Sequence, residues 1–260
     1  MRCCICGEHM EETHQATLLD RHEVRYFRCP ACEFWRTEEP WWLDEAYSRA
    51  IAAADTGIMT RNLSVADALA WLIPRLSPSG PYVDWGGGHG VLVRLMRDRG
   101  LDFYWHDAHA SNDYAYGFEW MPLAATKAAS LATAIEVLEH VVDPLQFARE
   151  VFESTGAEWL LFTTEVHDAS TDPSWHYFAP FSGQHVSFFS RKTLSVLAEQ
   201  LGVQLSVHGR LWILGRSELR LGFRDKISYF FWRAKRRQSR GDRRSMARQD
   251  FETITGRPYS

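Results

Sequence analysis

The stretch Val83-Asp84-Trp85-Gly86-Gly87-Gly88-His89-Gly90 constrains the fold more than any other part of the chain. A small apolar run ends in an acid; three glycines follow, and a fourth comes two places later. Leu92 to Met96 then reads as the start of a helix. A strand, a tight glycine-rich turn and a helix N-terminus make a nucleotide-binding corner. Glycine serves there because the backbone must turn sharply and let a ligand approach with no Cβ in the way. The order Asp84-x-Gly86-x-Gly88-x-Gly90 is not the G-x-G-x-x-G of dinucleotide binders. A glycine loop alone can be a plain structural turn, so the next acid matters. Asp102-Phe103-Tyr104-Trp105-His106-Asp107 reads as a second short strand ending in a carboxylate. Asp107 lies about 20 residues past the loop, where nucleotide-binding folds place the acid that grips ribose hydroxyls. The plainer alternative is a surface acid at a strand end.

From Tyr82 onward, strand and helix patterns alternate, which implies an α/β domain: a parallel sheet with helices on both faces. Strands are expected at 82–85, 102–106, 131–135 and 158–164, and helices near 90–99, 143–154 and 190–201. Val203–Val207 and Leu211–Leu214 read as closing strands, the second flanked by Gly209 and Gly215. Upstream, Asn62 or Ser64 suits the N-cap of a helix over Val65–Ile73 that Pro74 ends or kinks.

All five cysteines fall within the first 32 residues. Cys3-x2-Cys6 and Cys29-x2-Cys32 form two knuckles that can each offer two thiolates to one tetrahedral Zn²⁺, as in a zinc ribbon. Redox thiols or unpaired core cysteines are the alternatives. Cys4 is the spare, and the register between Cys3 and Cys4 stays open. Val24 to Arg28 is expected as a strand entering the second knuckle, and Trp41-Trp42-Leu43 begins a helical stretch. The expected organisation is a zinc ribbon over 1–45, a helical connection over 46–78, a cofactor-binding domain over 79–216 and a basic extension over 217–260.

A third constellation follows the third strand of the domain. Glu136, Glu139 and His140 stand at i, i+3 and i+4, which on one helical turn places all three on one face. Two carboxylates and an imidazole at the carboxyl end of a sheet strand can ligate a divalent ion or share acid–base work.

Asp84, Gly86, Gly87, Gly88 and Gly90 together resemble motif I of the class I S-adenosylmethionine (SAM) methyltransferases. The resemblance implies a Rossmann-like sheet, SAM as cofactor on that loop, ribose contacts from Asp107, and Glu136 beside the cofactor. Glu136-Val-Leu-Glu139-His140 followed by Val-Val-Asp143-Pro144 is similar to the segment after the fourth strand of many such enzymes. In ubiquinone-pathway O-methyltransferases and small-RNA 3′-end 2′-O-methyltransferases a similar E-x-x-E-H binds a divalent metal; the RNA enzymes add a histidine from a later loop. His185, in Gly183-Gln184-His185-Val186-Ser187, matches that position. The resemblance thus implies Glu136, Glu139, His140 and His185 as a Mg²⁺ or Mn²⁺ site, with His140 or His185 as metal ligand or general base. Many relatives use no metal, and there Glu139-His140 caps a helix. Short zinc ribbons also precede predicted methyltransferases of this kind. The implied activity is O-methylation of a small-molecule or sugar hydroxyl. The rivals are a metal-dependent RNA 2′-O-methyltransferase and a catalytically silent SAM-binding module.

Charge bears on the partners. The net charge of −4 gives no global attraction to nucleic acid, and residues 1–45 are acid-rich, which opposes phosphate affinity. Nucleic acid is therefore disfavoured against a small-molecule or glycan acceptor. Arg233, Lys235, Arg236, Arg237, Arg240, Arg243 and Arg244 form a basic run after Tyr229-Phe230-Phe231-Trp232; it suits peripheral contact with an anionic membrane or RNA, or a solvated helix whose aromatics pack on the core. The aromatic loop Trp175 to Phe181 suits either stacking on an acceptor or packing the ribbon onto the domain. No stretch of 18 apolar residues and no apolar segment near Met1 occurs, so a cytoplasmic protein is expected.

Overall fold

A computed structural model of the chain describes residues 1–48, 55–76, 79–124, 126–219 and the single positions 221, 222, 225, 252 and 256. The basic run from Arg233 to Arg244, and the membrane or RNA contact expected of it, lie outside the described residues.

Six strands form the central sheet: β4 (Tyr82–Trp85), β5 (Phe103–His106), β6 (Leu131–Ile135), β7 (Trp159–Thr163), β10 (Gln204–His208) and β11 (Leu211–Gly215), in the order β10-β11-β7-β6-β4-β5. The four strands β5, β4, β6 and β7 are parallel. The parallel sheet expected from the alternation is present in these four strands, and at one edge the closing strand β11 runs antiparallel to both β7 and β10. Gly209 and Arg210 alone separate β10 from β11, and Gly209 takes φ +63°. So short a connection can only make a hairpin. Beyond β5, a parallel bridge from Trp105 to Glu119 extends the other edge.

Side chains alternate across the sheet. Leu160 and Phe162 of β7 point to one face, packed with Leu194 and Leu197 of α6 (Arg191–Leu201) and Val151 of α5 (Pro144–Thr155). Leu161 points to the other, against Leu69 and Leu72 of α2 (Ile58–Leu76) and Met96 of α3 (Val91–Arg97). Both faces of the sheet are thus dry, as a largely parallel sheet requires. The helix starts follow local chemistry. Asp143 caps α5 by accepting from the Gln146 amide at 2.9 Å, with Pro144 in the first turn. Ser190 and Thr193 form a reciprocal cap on α6. Helix α2 departs from expectation: it begins at Ile58, so Asn62 is inside it and donates to the Ile58 carbonyl, and it runs through Pro74 to Leu76.

The N-terminal residues build a second sheet. Strands β1 (Glu11–Leu18) and β2 (His22–Arg28) form a hairpin that β3 (Trp35–Thr37) extends. The sheet does not stop there. Strand β9 (Ser187–Ser190) pairs with β3 through Trp35–Phe188 and Arg36–Ser187, and β8 (Val166–His167) pairs with β9. An aromatic core of Tyr26, Trp35, Trp42, Phe178 and Phe188 fills the space beneath it. Two short helices complete the described elements used below, α1 (Leu43–Ala46) and α4 (Met121–Ala124).

Candidate active site

The loop from Gly86 to Gly90 leaves β4 and is tied to β5. The Gly88 amide donates to Asp107 Oδ2 at 2.8 Å, and the Trp105 indole donates to the Gly88 carbonyl at 2.7 Å. Asp107 Oδ1 accepts from the amides of His109 and Ala110. Loop and acid, 19 residues apart, are thus one unit. Gly88 takes φ +51° and a Cβ there would meet nothing within 4 Å, so the position opens onto free space. Gly86, at φ +78°, is different: a Cβ would come within 2.8 Å of Val137, so the loop packs directly on the turn after β6. Asp84 supports this loop from below rather than facing its open side. It is 3% exposed, its Oδ1 accepts from the Thr133 hydroxyl at 2.6 Å, and its Oδ2 lies under Gly87. Burial raises its pKa to about 7, against the Thr133 hydrogen bond, with the Asp107 charge adding to the rise.

The turn after β6 corrects the helical face expected of Glu136, Glu139 and His140. Glu136 ends the strand in a left-handed conformation, φ +55°, and its amide donates to the Thr163 hydroxyl of β7 at 3.0 Å. The helical turn, of 3₁₀ type, spans only Leu138–His140. Glu136 therefore leaves the shared face and lies 3.9 Å from Arg61 of α2, which itself pairs with both oxygens of Asp55. Left-handed backbone at a residue other than glycine costs of order 1–3 kcal/mol and gathers at functional sites.

What does converge is Glu139, His140 and His185, with one donor atom from each within 4.8 Å of the others. The two imidazole centroids are 4.8 Å apart. His140 Nδ1 donates to the Gln184 carbonyl at 3.1 Å, and His185 Nδ1 to the Tyr177 carbonyl at 2.6 Å. Burial, the leading effect, lowers the His140 pKa to about 4 and that of His185 to about 3. Both rings are therefore neutral at physiological pH, protonated on Nδ1, and carry a lone pair on Nε2. Glu139 is fully buried; Oε1 accepts from the Tyr177 hydroxyl at 2.6 Å, and Oε2 has no hydrogen-bond partner. Burial first, then the Glu136 charge, raises its pKa to about 8.

Several site residues had no signal in the sequence. Tyr47, just after α1, has its ring centroid 6.3 Å from His140 and 6.0 Å from His109, beside Asp107. It spans the gap between the glycine-loop corner and the histidines. Arg61 and Gln184 are likewise brought in by tertiary contacts alone, whereas Tyr177 belongs to the aromatic loop singled out from the sequence. The aromatic loop packs rather than opens: Phe178 is 3% exposed and its ring lies 5.1 Å from Tyr26 and 5.2 Å from Trp35.

At the N-terminus, the sulfurs of Cys3, Cys6, Cys29 and Cys32 all lie within 4.8 Å of one another, with Cys3–Cys32 at 3.5 Å and Cys6–Cys29 at 3.4 Å. Four thiolates about 2.3 Å from one Zn²⁺ stand roughly 3.8 Å apart, so the donor set and its dimensions fit that ion. Cys4 is not in the cluster; its thiol points to the Val142 carbonyl, and burial pushes its pKa up to about 12. Of Cys3 and Cys4, Cys3 is the one that stands with the other three sulfurs. Among the described residues no helix is long and apolar enough to cross a membrane.

A family model described as a methyltransferase domain matches residues 59–206, which include the glycine loop, Asp107, Glu139, His140 and His185. No curated protein matches the sequence. Among solved structures, the chain is similar to the O-methyltransferase NcsB1 from neocarzinostatin biosynthesis, in complex with SAM and 2-hydroxy-5-methyl naphthoic acid (16% identity, 66% of this chain, 59% of that one, TM-score 0.47). It is also similar to magnesium protoporphyrin IX methyltransferase ChlM from Synechocystis PCC 6803 with bound S-adenosylhomocysteine (14%, 68%, 96%, TM-score 0.47), and to TnmH (16%, 68%, 60%, TM-score 0.44). The chain spans about 60% of the length of TnmH and of NcsB1. With its family model covering more than half of its residues, the chain belongs to the methyltransferase-domain family.

Proposed function

We propose that the chain transfers the methyl group of SAM to a hydroxyl of a small molecule. One observation carries this reading: Tyr47 stands between the glycine-loop corner and a pair of neutral, Nδ1-protonated histidines. Gly86–Gly90 and Asp107 would hold SAM, the acid toward its ribose hydroxyls, and Glu136 and Arg61 offer opposite charges that would suit its methionine end. SAM would supply an electrophilic methyl group to the acceptor oxygen, which leaves this chain's residues to place the acceptor and remove one proton. That proton becomes strongly acidic only as the new C–O bond forms. A buried imidazole of low basicity therefore suffices to take it, and burial keeps Nε2 of His140 or His185 unprotonated and available.

A second reading has its own observation, the orphaned Oε2 of Glu139. Glu139, His140 and His185 would hold a divalent cation. With Glu136 turned away, the set is one carboxylate and two imidazoles, which suits Mn²⁺ better than Mg²⁺. A cation there would polarise the acceptor hydroxyl. Zn²⁺ on Cys3, Cys6, Cys29 and Cys32 is assigned a structural role. In this organisation the ribbon (1–45) and helical connection (46–78) precede the catalytic domain (79–216) and a basic extension (217–260).

The test is labelled SAM with a panel of hydroxyl-bearing small molecules. His185→Gln is expected to lose roughly 10²-fold in turnover while SAM affinity is kept. Undiminished turnover in both His140→Gln and His185→Gln would overturn the base assignment. Loss of turnover in chelator, restored by Mn²⁺, would select the cation reading.

A further inference from the structure

The segment that carries His185 is fastened to the N-terminal module by four hydrogen bonds. The Leu19 amide donates to the Pro180 carbonyl at 2.9 Å and the Trp42 indole to the Gly183 carbonyl at 2.8 Å. The Gln184 side-chain amide donates to the Ala46 carbonyl at 2.8 Å, and the Thr37 amide to the Val186 carbonyl at 3.1 Å. From the other side, the Val186 amide donates to the Glu139 carbonyl at 2.8 Å. Trp42 is 2% exposed and Gln184 8%, so these are dry contacts. Gly183, at φ +64°, has no room for a Cβ: Leu19 and Trp42 lie 3.1 and 3.3 Å from where it would be. The loop has been drawn tight against the module.

The fastening coincides with the groups that orient the histidines. Gln184 is tied to Ala46 through its side chain, while its carbonyl accepts from His140 Nδ1. The carbonyl of Tyr177, which accepts from His185, belongs to the same aromatic core as Trp42. An imidazole free in water is predominantly the Nε2–H tautomer; the opposite one must be held by an acceptor facing Nδ1. Displacing those carbonyls by an ångström turns Nε2 from lone pair to N–H and takes it out of line.

We infer that Trp42 and Gln184 are positioning residues: by clamping residues 180–186 to the N-terminal module they fix the Nδ1–H tautomer and the orientation of His140 and His185. The module is then a part of the catalytic apparatus that touches neither cofactor nor acceptor, and the inference rests on the reading of those two histidines as the groups that meet the acceptor. It predicts that the module's state is transmitted to the site through tautomer and placement, with the cofactor corner unaffected.

The experiment uses full-length protein labelled with ¹⁵N-histidine and read by long-range ¹H–¹⁵N correlation at constant pH. His140→Gln and His185→Gln identify the two rings. In wild type both rings are expected as the Nδ1–H tautomer. In Trp42→Phe, which keeps an aromatic ring but loses the donor, and in Gln184→Ala, which leaves the backbone carbonyl in place, at least one ring is expected to shift mainly to Nε2–H. SAM affinity by calorimetry should stay within about twofold, since the Asp107 corner is not touched. Retention of the wild-type tautomers in both folded variants would overturn the inference. Should neither variant fold, hydrogen exchange on wild type decides. If the clamp holds, the Trp42 indole and the Val186 amide open as one unit with equal protection. An indole exchanging about tenfold faster or more would overturn it. None of these readouts needs turnover. If the tautomers shift as expected while His140→Gln and His185→Gln both turn over normally, the base assignment falls and the clamp stands.

Discussion

Replacing Asp84 by Asn isolates a cost that the glycine corner carries. The Asp84 carboxyl is buried, and its pKa is raised from 3.8 to about 7 by that burial, despite the Thr133 hydrogen bond. A group whose folded pKa lies above its unfolded one holds a proton in the native chain that the unfolded chain has released. Folding then takes up a proton between about pH 4 and 7, and stability falls as pH rises through that window. A shift of about 3 units corresponds to on the order of 4 kcal/mol, absent below pH 4 and fully expressed above pH 7. Asn keeps an oxygen for the Thr133 hydroxyl and carries no charge at any pH. Any fixed penalty of the amide cancels when only the pH dependence is compared. Urea unfolding of both proteins from pH 5 to 8, in the same zinc-containing buffer, should therefore show the variant gaining on wild type. The gain should approach 1.4 kcal/mol per pH unit at its steepest and total about 2–4 kcal/mol. A stability difference between the two proteins that stays flat within about 0.5 kcal/mol across that range would refute the reasoning, because Asp84 would then be ionised throughout.

Other perturbations probe other parts of the molecule. Gly88→Val places a branched side chain at φ +51° on the open side of the loop and should abolish SAM binding by calorimetry; unchanged affinity would remove the cofactor from this loop. Elemental analysis should find one Zn per chain, retained in Cys4→Ser and lost in Cys29→Ser/Cys32→Ser; an intact double variant with full zinc content would exclude those ligands. Phe178→Ala empties a site packed by Tyr26, Trp35 and Phe188 and should cost about 3–5 kcal/mol in urea unfolding; a loss under about 1 kcal/mol would mean the aromatic core is not formed as described.

The parts legible in the sequence are those set by neighbours along the chain. Strands at 82–85 and 131–135 and the helices ending at Thr155 and Leu201 follow from apolar runs, caps and glycines within a few residues of one another. The cysteine knuckles were readable for the same reason: each spacing is local, and only the Cys3 or Cys4 register needed three dimensions. The antiparallel β11 was nearly readable, since Gly209-Arg210 leaves no length for a crossover. Glu136 was not, because its left-handed turn is accompanied by a hydrogen bond from its amide to the Thr163 hydroxyl on the neighbouring strand, a partner 27 residues away. A spacing of i, i+3, i+4 implies a shared face only where the helix has already begun. Tyr47, Arg61 and Gln184 are invisible to spacing for a related reason, since each reaches the site from a segment whose own pattern says nothing about its partner.

The pairing of β3 with β9 sets an order of events during synthesis. Trp35 and Arg36 leave the ribosome early, whereas Ser187 and Phe188, which complete their edge, come after the whole of the central sheet except its terminal hairpin has been made. At ordinary elongation rates that is an interval of roughly 10–30 s. Throughout it the nascent N-terminal sheet presents an unpaired strand edge and an aromatic underside lacking Phe178 and Phe188, the kind of surface that recruits a second chain. Early metal capture by the four thiols would hold the hairpin in register through this interval. A fragment ending before Ser187 never escapes it, so truncated forms of this chain should collect in aggregates, however well their cysteines are loaded.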